Sequence, residues 1–295
     1  MRPAPRASES KPDLRIGTRI RDYVLAERVA TGAFASVYRA TSAAGEAAIK
    51  LYASFAEPRT ELESAAQRQV RHPAVARLLD AGALPDGAYF LASEWIDGET
   101  LHATIAQRPP WDVIRRAIGA IGSGLGAIHA SGIVHRDLKP SNVIVPRKPS
   151  PAAVILDFSH ALILGGERVT DTGFVLGSAA YMSPEQVAGL ALDGRSDLYA
   201  LGVILYQLLT GVLPFEGDVP AELLRRHQHE PVIAPRRRAP DRNIPHVAEA
   251  MCMWLLAKDR DARVPNTHVL AVTLGVAAAE IGALGGETVG VERPS

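Results

Sequence analysis

The 295 residues carry 32 Lys and Arg against 32 Asp and Glu, 47% hydrophobic residues and one cysteine. A chain of this length buries one large core or two smaller ones, and a formal net charge of +0 supplies no global field toward nucleic acid or an anionic membrane. The lone Cys252 excludes an intramolecular disulfide and a multi-cysteine metal site, which fits a reducing compartment, so a cytoplasmic location is expected.

Residues 1–20 begin MRPAPRASESKPDLRIG, rich in proline and charge and without an apolar segment; the expectation is a flexible tail and no secretory signal. From Tyr23 to about Ile96 the runs YVLAERV, ASVYRAT, EAAIKLYA, ARLLDAGAL and AYFLASEWI are apolar and β-prone. Turn residues such as Ser42 to Gly45 and Pro85-Asp86-Gly87 separate them, which predicts strands. One helix interrupts the pattern: PRTELESAAQRQV has Pro58 near its start and acidic residues in its early turns, where the helix dipole favours negative charge.

After Gly98 the character changes to long helices. Ile114, Ile118, Ile121, Leu125 and Ile128 recur at three-and-four spacing and mark one buried stripe. SDLYALGVILYQLLTG is apolar on nearly every face and closes with Gly211, which predicts a central, fully buried helix. VLAVTLGVAAAEIGALGG is interrupted by Glu280 and reads as a terminal helix, with no membrane span expected. The coarse reading is an α+β chain with a small β-rich lobe over 21–97, a larger helical lobe over 98–281 and a short tail over 282–295, without internal repeats.

The chemistry concentrates in HRDLKPSNVIV, His135 to Val145, followed by VILDFSHA, Val154 to Ala161. Asp137, Lys139, Asn142 and Asp157 put two carboxylates, an amine and an amide within a short loop-strand-loop unit. Such a set suits holding Mg2+ between phosphates while a hydroxyl attacks, since hard Mg2+ takes oxygen ligands. Upstream, RVATGAFASVY has a strand entering at Val29, a turn near Gly32 and an exit through Val37, but alanine stands at 30 and 35 where G-x-G-x-x-G has glycine. His129 and His135 are separated by Ser131-Gly132, so they do not share one helix face and are assigned to packing and hydrogen bonding. His227 and His229, with Arg225 and Arg226, are placed on a solvated helix edge, and APRRRAP is read as a surface loop.

These motifs resemble the eukaryotic-type serine/threonine protein kinases also found in bacteria, over about Tyr23 to Leu274. The resemblance implies the two-lobed protein kinase fold and transfer of the γ-phosphoryl group of ATP, with Mg2+, to Ser or Thr of protein substrates. It implies that Asp137 orients the substrate hydroxyl and accepts its proton, that Lys139 neutralises charge on the transferring group, and that Asn142 and Asp157 hold the metal. AAIK resembles V-A-I-K, which assigns Lys50 to the α- and β-phosphates, Ala48 to the adenine and Glu63 to holding the lysine in line. Adenine is implied near Val29, Val37 and Ala48 and the backbone of Glu94 and Ile96, with Ala30 and Gly32 in the loop over the phosphates and Phe34 at its tip.

Further along, GSAAYMSPEQ resembles the end of an activation segment, with Ser183-Pro184-Glu185 standing for A-P-E; Arg263 matches the arginine that pairs with that glutamate, and Asp197 the aspartate that braces the catalytic loop. Arg136 resembles the arginine on which a phosphorylated activation segment docks, and Thr170 and Thr172 in VTDTGF stand where relatives carry a T-x-T pair, which implies autophosphorylation there. Ser159 replaces the glycine of D-F-G and is expected to restrict flipping of Asp157 and Phe158. The competing reading is a pseudokinase that binds nucleotide and regulates a partner; a small-molecule phosphotransferase is disfavoured by the activation segment. Whether the chain forms a homodimer is left open.

Overall fold

The computed structural model describes residues 15–32, 35–52, 57–148, 150–164 and 176–275. β-branched and aromatic residues alternating with small or polar ones give the first part its strands. These are β1 (Arg19–Ile20), β2 (Tyr23–Thr31), β3 (Ala35–Ser42), β4 (Gly45–Tyr52) and, after helix α1 (Glu57–Gln69), β5 (Leu78–Ala83) and β6 (Tyr89–Glu94). They pair antiparallel in one sheet of order β1-β2-β3-β4-β6-β5. Because successive side chains alternate between faces, Leu25, Tyr38, Ala40, Ile49, Phe90 and Ala92 form a buried cluster on one side. Tyr52, Ala81, Tyr89 and Leu91 form a smaller cluster on the other.

The chain divides into two compact units, Met1–Glu57 with Leu78–Trp95, and Pro58–Arg77 with Ile96–Ser295. The β-rich part therefore differs from the continuous 21–97 stretch expected from sequence, because residues 58–77 belong with the helices. The reason is local bonding. Ala66, Val70 and Val75 join the large apolar cluster of the second unit. Ala76 N–H donates to the Ile155 carbonyl and Ile155 N–H to that of Ala74, each at 2.9 Å, and Gln67 Nε2 donates to Ala76 O.

The second unit continues with β7 (Gly98–Thr100), α2 (Leu101–Ala106) and α3 (Trp111–Ala130), then β8 (Ile133–Val134), a 3-10 turn over Pro140–Asn142, β9 (Val143–Pro146), β10 (Val154–Ile155) and β11 (Leu162–Ile163). Two small sheets result, β10-β9-β7 and β11-β8. Helices α4 (Leu176–Ala179), α5 (Pro184–Val187), α6 (Gly194–Thr210), α7 (Pro220–His229), α8 (Pro235–Arg238) and α9 (His246–Leu255) follow, and residues 267–275 are again helical. The predicted stripe on α3 is buried at every position from Ile114 to Ile128, and it packs with α6, in which every residue from Ser196 to Thr210 is buried. APRRRAP holds the short α8, with Arg236, Arg237 and Arg238 exposed. Among the described residues no helix is long and apolar enough to cross a membrane.

α6 starts at Asp193, whose side chain accepts the Arg195 N–H, and ends at Gly211, held at φ 87° with its N–H on the Gln207 carbonyl at 2.8 Å. A side chain at that left-handed position crowds the following carbonyl at a cost of about 1 kcal/mol. Gly211→Ala should therefore lower the unfolding free energy in urea by about that amount, at unchanged m, without altering the far-UV signature of the folded chain.

Candidate active site

The site is built outward from Asp197 in the first turn of α6. Its carboxylate is 1% exposed and accepts the backbone N–H of His135 at 2.9 Å, that of Arg136 at 2.8 Å and His129 Nε2 at 2.8 Å. Burial pushes its pKa up, but the His129 hydrogen bond and charge, together with the charge and backbone N–H of His135, outweigh this and hold it below the usual carboxylate value. His129 lies in the last turn of α3, so Asp197 joins two helices to the loop that begins at His135. Both histidines serve packing and hydrogen bonding, as their spacing suggested: His135 Nε2 meets the Leu156 carbonyl at 3.1 Å.

Pinned this way, Arg136 takes φ 66°, a conformation that costs a non-glycine residue about 1–2 kcal/mol. Asp137 comes next. Lys139 Nζ donates to Asp137 Oδ2 at 2.7 Å and to Ser178 Oγ at 2.9 Å. Asn142 Nδ2 donates to the Asp137 carbonyl at 2.9 Å and to Oδ2 at 3.1 Å. These bonds all fall on Oδ2 and the backbone, so among the described residues Asp137 Oδ1 is left for an external donor. Asn142 likewise uses only its amide nitrogen, which leaves its oxygen.

Asp157 stands at the same end of the β9–β10 ladder as Asn142, because Leu156 N–H donates to the Asn142 carbonyl at 2.8 Å. It adopts φ 59° and its Oδ1 accepts the Ser159 N–H at 3.0 Å. Phe158 is buried, its ring centroid 5.5 Å from that of His135. Ser159 is not at positive φ, so its Cβ is accommodated in this arrangement.

In the first unit the strand register puts Ala30, Val37, Ala48 and Lys50 on one face of the sheet: Val37 pairs with Ala30 and Lys50, and Ala48 pairs with Ser93. Lys50 Nζ lies 5.4 Å from the Tyr52 ring centroid. Glu94 ends β6, and Val29 is half exposed at an irregularity of β2 between Arg28 and Ala30. Gly32 donates its N–H to the Ala35 carbonyl at 2.8 Å. A Cβ added at Gly32 would meet that oxygen at 3.4 Å, an ordinary contact, so nothing among the described residues requires glycine there. Ala30 and Ala35 are not at positive φ either, and alanine costs little in such backbone. In the second unit Glu63 is buried on α1 and Ile96 half-buried. Phe34, Thr170 and Thr172 lie outside the described residues.

Beyond the loop, Ser183 caps α5 in a capping box with Gln186. Glu185 and Arg263 form a buried pair, Nη1 to Oε1 at 2.8 Å and Nη2 to Oε2 at 3.1 Å, and Ser196 Oγ donates to the same carboxylate at 2.7 Å. Burial raises the Glu185 pKa, but its bonds to Arg263 and Ser196 bring it below the ordinary value. His227, expected on a solvated edge, is fully buried. Its ring meets Tyr199 Oη at 3.0 Å and packs edge-on against Phe215, because α7 turns this position of its amphipathic face inward. Burial, reinforced by the Lys258 charge, pushes its pKa down to about 3.

Sequence reasoning passed over Ser178 and Gln186, both inside a quoted segment. Gln186 was detectable, since Ser183-Pro184-Glu185-Gln186 fits the S-x-x-Q capping-box pattern. Ser178 carries no local signal, and its role rests on a lysine 39 residues away.

The family described as protein kinase domain matches residues 23–273. The chain is 40% identical over 224 residues to serine/threonine-protein kinase pkn3 of Myxococcus xanthus, covering 73% of this chain and 41% of the relative. It is 38% identical to serine/threonine-protein kinase pkn2 of the same organism, covering 70% of this chain and 26% of the relative. Identity to serine/threonine-protein kinase PknB of Mycolicibacterium smegmatis is 36%, over 70% of this chain and 33% of the relative. The chain thus spans less than half the length of these relatives.

Removing one partner of a buried ion pair leaves an uncompensated charge, so Arg263→Ala should cost about 3–5 kcal/mol by chemical denaturation. Acid should destabilise the fold in two stages. The unfolded chain protonates His227 near its ordinary 6.5 while the folded chain resists until about 3, so stability declines as pH falls below about 6.5. Glu185 and Asp197, depressed in the folded state, contribute stability that is present above the ordinary carboxylate range and is lost as pH falls through their depressed values. The loss in urea midpoint between neutral and mildly acidic pH should be smaller in His227→Gln than in the wild type.

Proposed function

This chain belongs to the protein kinase family, and we propose that it transfers the γ-phosphoryl group of ATP to serine or threonine hydroxyls of protein substrates. Names of its bacterial relatives describe that activity for those proteins. The observation that carries the reading is the open Asp137 Oδ1 beside a lysine that already spends bonds on Asp137 Oδ2 and Ser178.

A substrate hydroxyl donating to Oδ1 is oriented for attack. As its oxygen bonds to the γ-phosphorus, the bond to the bridging oxygen of ADP breaks and the hydroxyl proton passes to Asp137. An ammonium has three donors; with two engaged, Lys139 retains one for the transferring phosphoryl group. Asn142 Oδ1 and the Asp157 carboxylate would be the oxygen donors for Mg2+, a hard ion usually held by one or two carboxylates together with substrate phosphates and water. That accounts for finding, among the described residues, no cluster of three or more His, Cys, Asp or Glu fit to hold a metal. When bound, Mg2+ neutralises charge on the phosphates.

Lys50 is assigned to the α- and β-phosphates, and Val29, Val37 and Ala48, with the backbone of Glu94 and Ile96, to adenine. Gly32 is assigned to the approach of a phosphate, since no described neighbour requires glycine there. Phosphorylation at Thr170 and Thr172 would supply an anion for Arg136, whose Nε is buried without a hydrogen-bond partner among the described residues.

Purified protein with labelled Mg-ATP and a generic basic protein substrate should incorporate phosphate, and Asp137→Asn and Lys50→Met should each reduce incorporation by about a hundredfold or more. Mass spectrometry of the same reaction should find phosphate on Thr170 or Thr172. Nucleotide binding by thermal shift without any incorporation would overturn the enzymatic reading in favour of a nucleotide-binding scaffold.

A further inference from the structure

The peptide joining Arg136 to Asp137 is held from both sides, and only one of the two holds comes from Asp197. Arg136 donates its N–H to Asp197. Its carbonyl accepts Gln186 Nε2 at 2.9 Å. The orientation of that amide is set by its other end: Gln186 Oε1 accepts the Ser183 N–H at 3.1 Å, as only an oxygen can. Gln186 N–H in turn donates to Ser183 Oγ. One side chain thus closes the cap of α5 and fixes the plane of the peptide from which Asp137 projects.

We propose that Gln186 is a positioning residue for phosphoryl transfer, holding Asp137 in register with the end of the activation segment through the Arg136 carbonyl. The inference rests on the reading of Asp137 as the group that orients the substrate hydroxyl. Capping alone does not account for the residue, because glutamate closes a capping box equally well and favours a helix N-terminus through its charge. Glutamate cannot donate to a carbonyl. The choice of amide over carboxylate is explained by the bond to Arg136. With Lys139 bonding Ser178, the segment over 176–188 reaches the catalytic loop at two points, so a displacement of α5 is transmitted to the Asp137 peptide.

The test uses the full chain with Gln186→Glu and Gln186→Met. Gln186→Glu should lower kcat for a basic protein substrate about tenfold, leave KM for ATP within about twofold, and melt no lower than the wild type. Amide exchange should rise over residues 133–142 and stay unchanged over α5. Gln186→Met, which lacks donor and acceptor, should match the loss in kcat and decides the matter if the glutamate variant folds poorly. Unchanged kcat in either variant that melts like the wild type would overturn the proposal. If the wild type transfers no phosphate, the kinase reading fails by that result, and the exchange data alone then decide the tether: faster exchange over 133–142 supports it and unchanged exchange refutes it.

Discussion

A carboxylate taken out of water has to be met by donors or it forfeits several kcal/mol, and Asp197 is the place where that constraint organises this protein. Its partners are the two backbone N–H groups of His135 and Arg136, just ahead of Asp137, and the imidazole of His129 in the last turn of α3. Meeting them forces Arg136 into the left-handed region. The direction in which Asp137 leaves the loop follows from that turn, and so do the bonds of Lys139 and Asn142 to its Oδ2.

The residue before Asp197 anchors the second charged system. Ser196 donates to Glu185, which pairs with Arg263, and Arg263 also donates to the carbonyls of Ala257 and Arg195. Tyr199, one turn on, meets His227, while Lys258 donates to the carbonyls of Arg226 and His227 and so closes the end of α7. The polar N-terminal part of α6 therefore holds the loop at 135–142, α5 and α7 together. The rest of the helix is buried along its whole length, so this part sits on a close-packed support.

Among the described non-glycine residues Arg21, Arg108, Arg136 and Asp157 take positive φ. Two of them, Arg136 and Asp157, stand at the candidate site, where hydrogen bonds to Asp197 and from Ser159 hold them and repay the backbone cost. The positions where the motifs depart from glycine behave differently. Ala30, Ala35 and Ser159 lie outside the left-handed region, so their Cβ atoms carry no such cost in this arrangement. An alanine that looks like damage in a motif is harmless when the backbone never needed glycine.

Short-range order was legible from residues alone. HRDLKPSN places Asp137, Lys139 and Asn142 within one loop, and their bonds span only two to five residues. The apolar, β-prone runs from Tyr23 to Ile96 were sufficient to place strands, and the apolar run of α6 was sufficient to bury it. What only the tertiary structure decided depends on contacts between distant segments. Ser178 reaches Lys139 across 39 residues and Gln186 reaches Arg136 across 50. Residues 58–77 join the helical unit through Ile155, and His227 is buried against Tyr199, 28 positions earlier. A hydrogen bond between segments leaves no periodicity in either, because its geometry exists only once both have packed against a third.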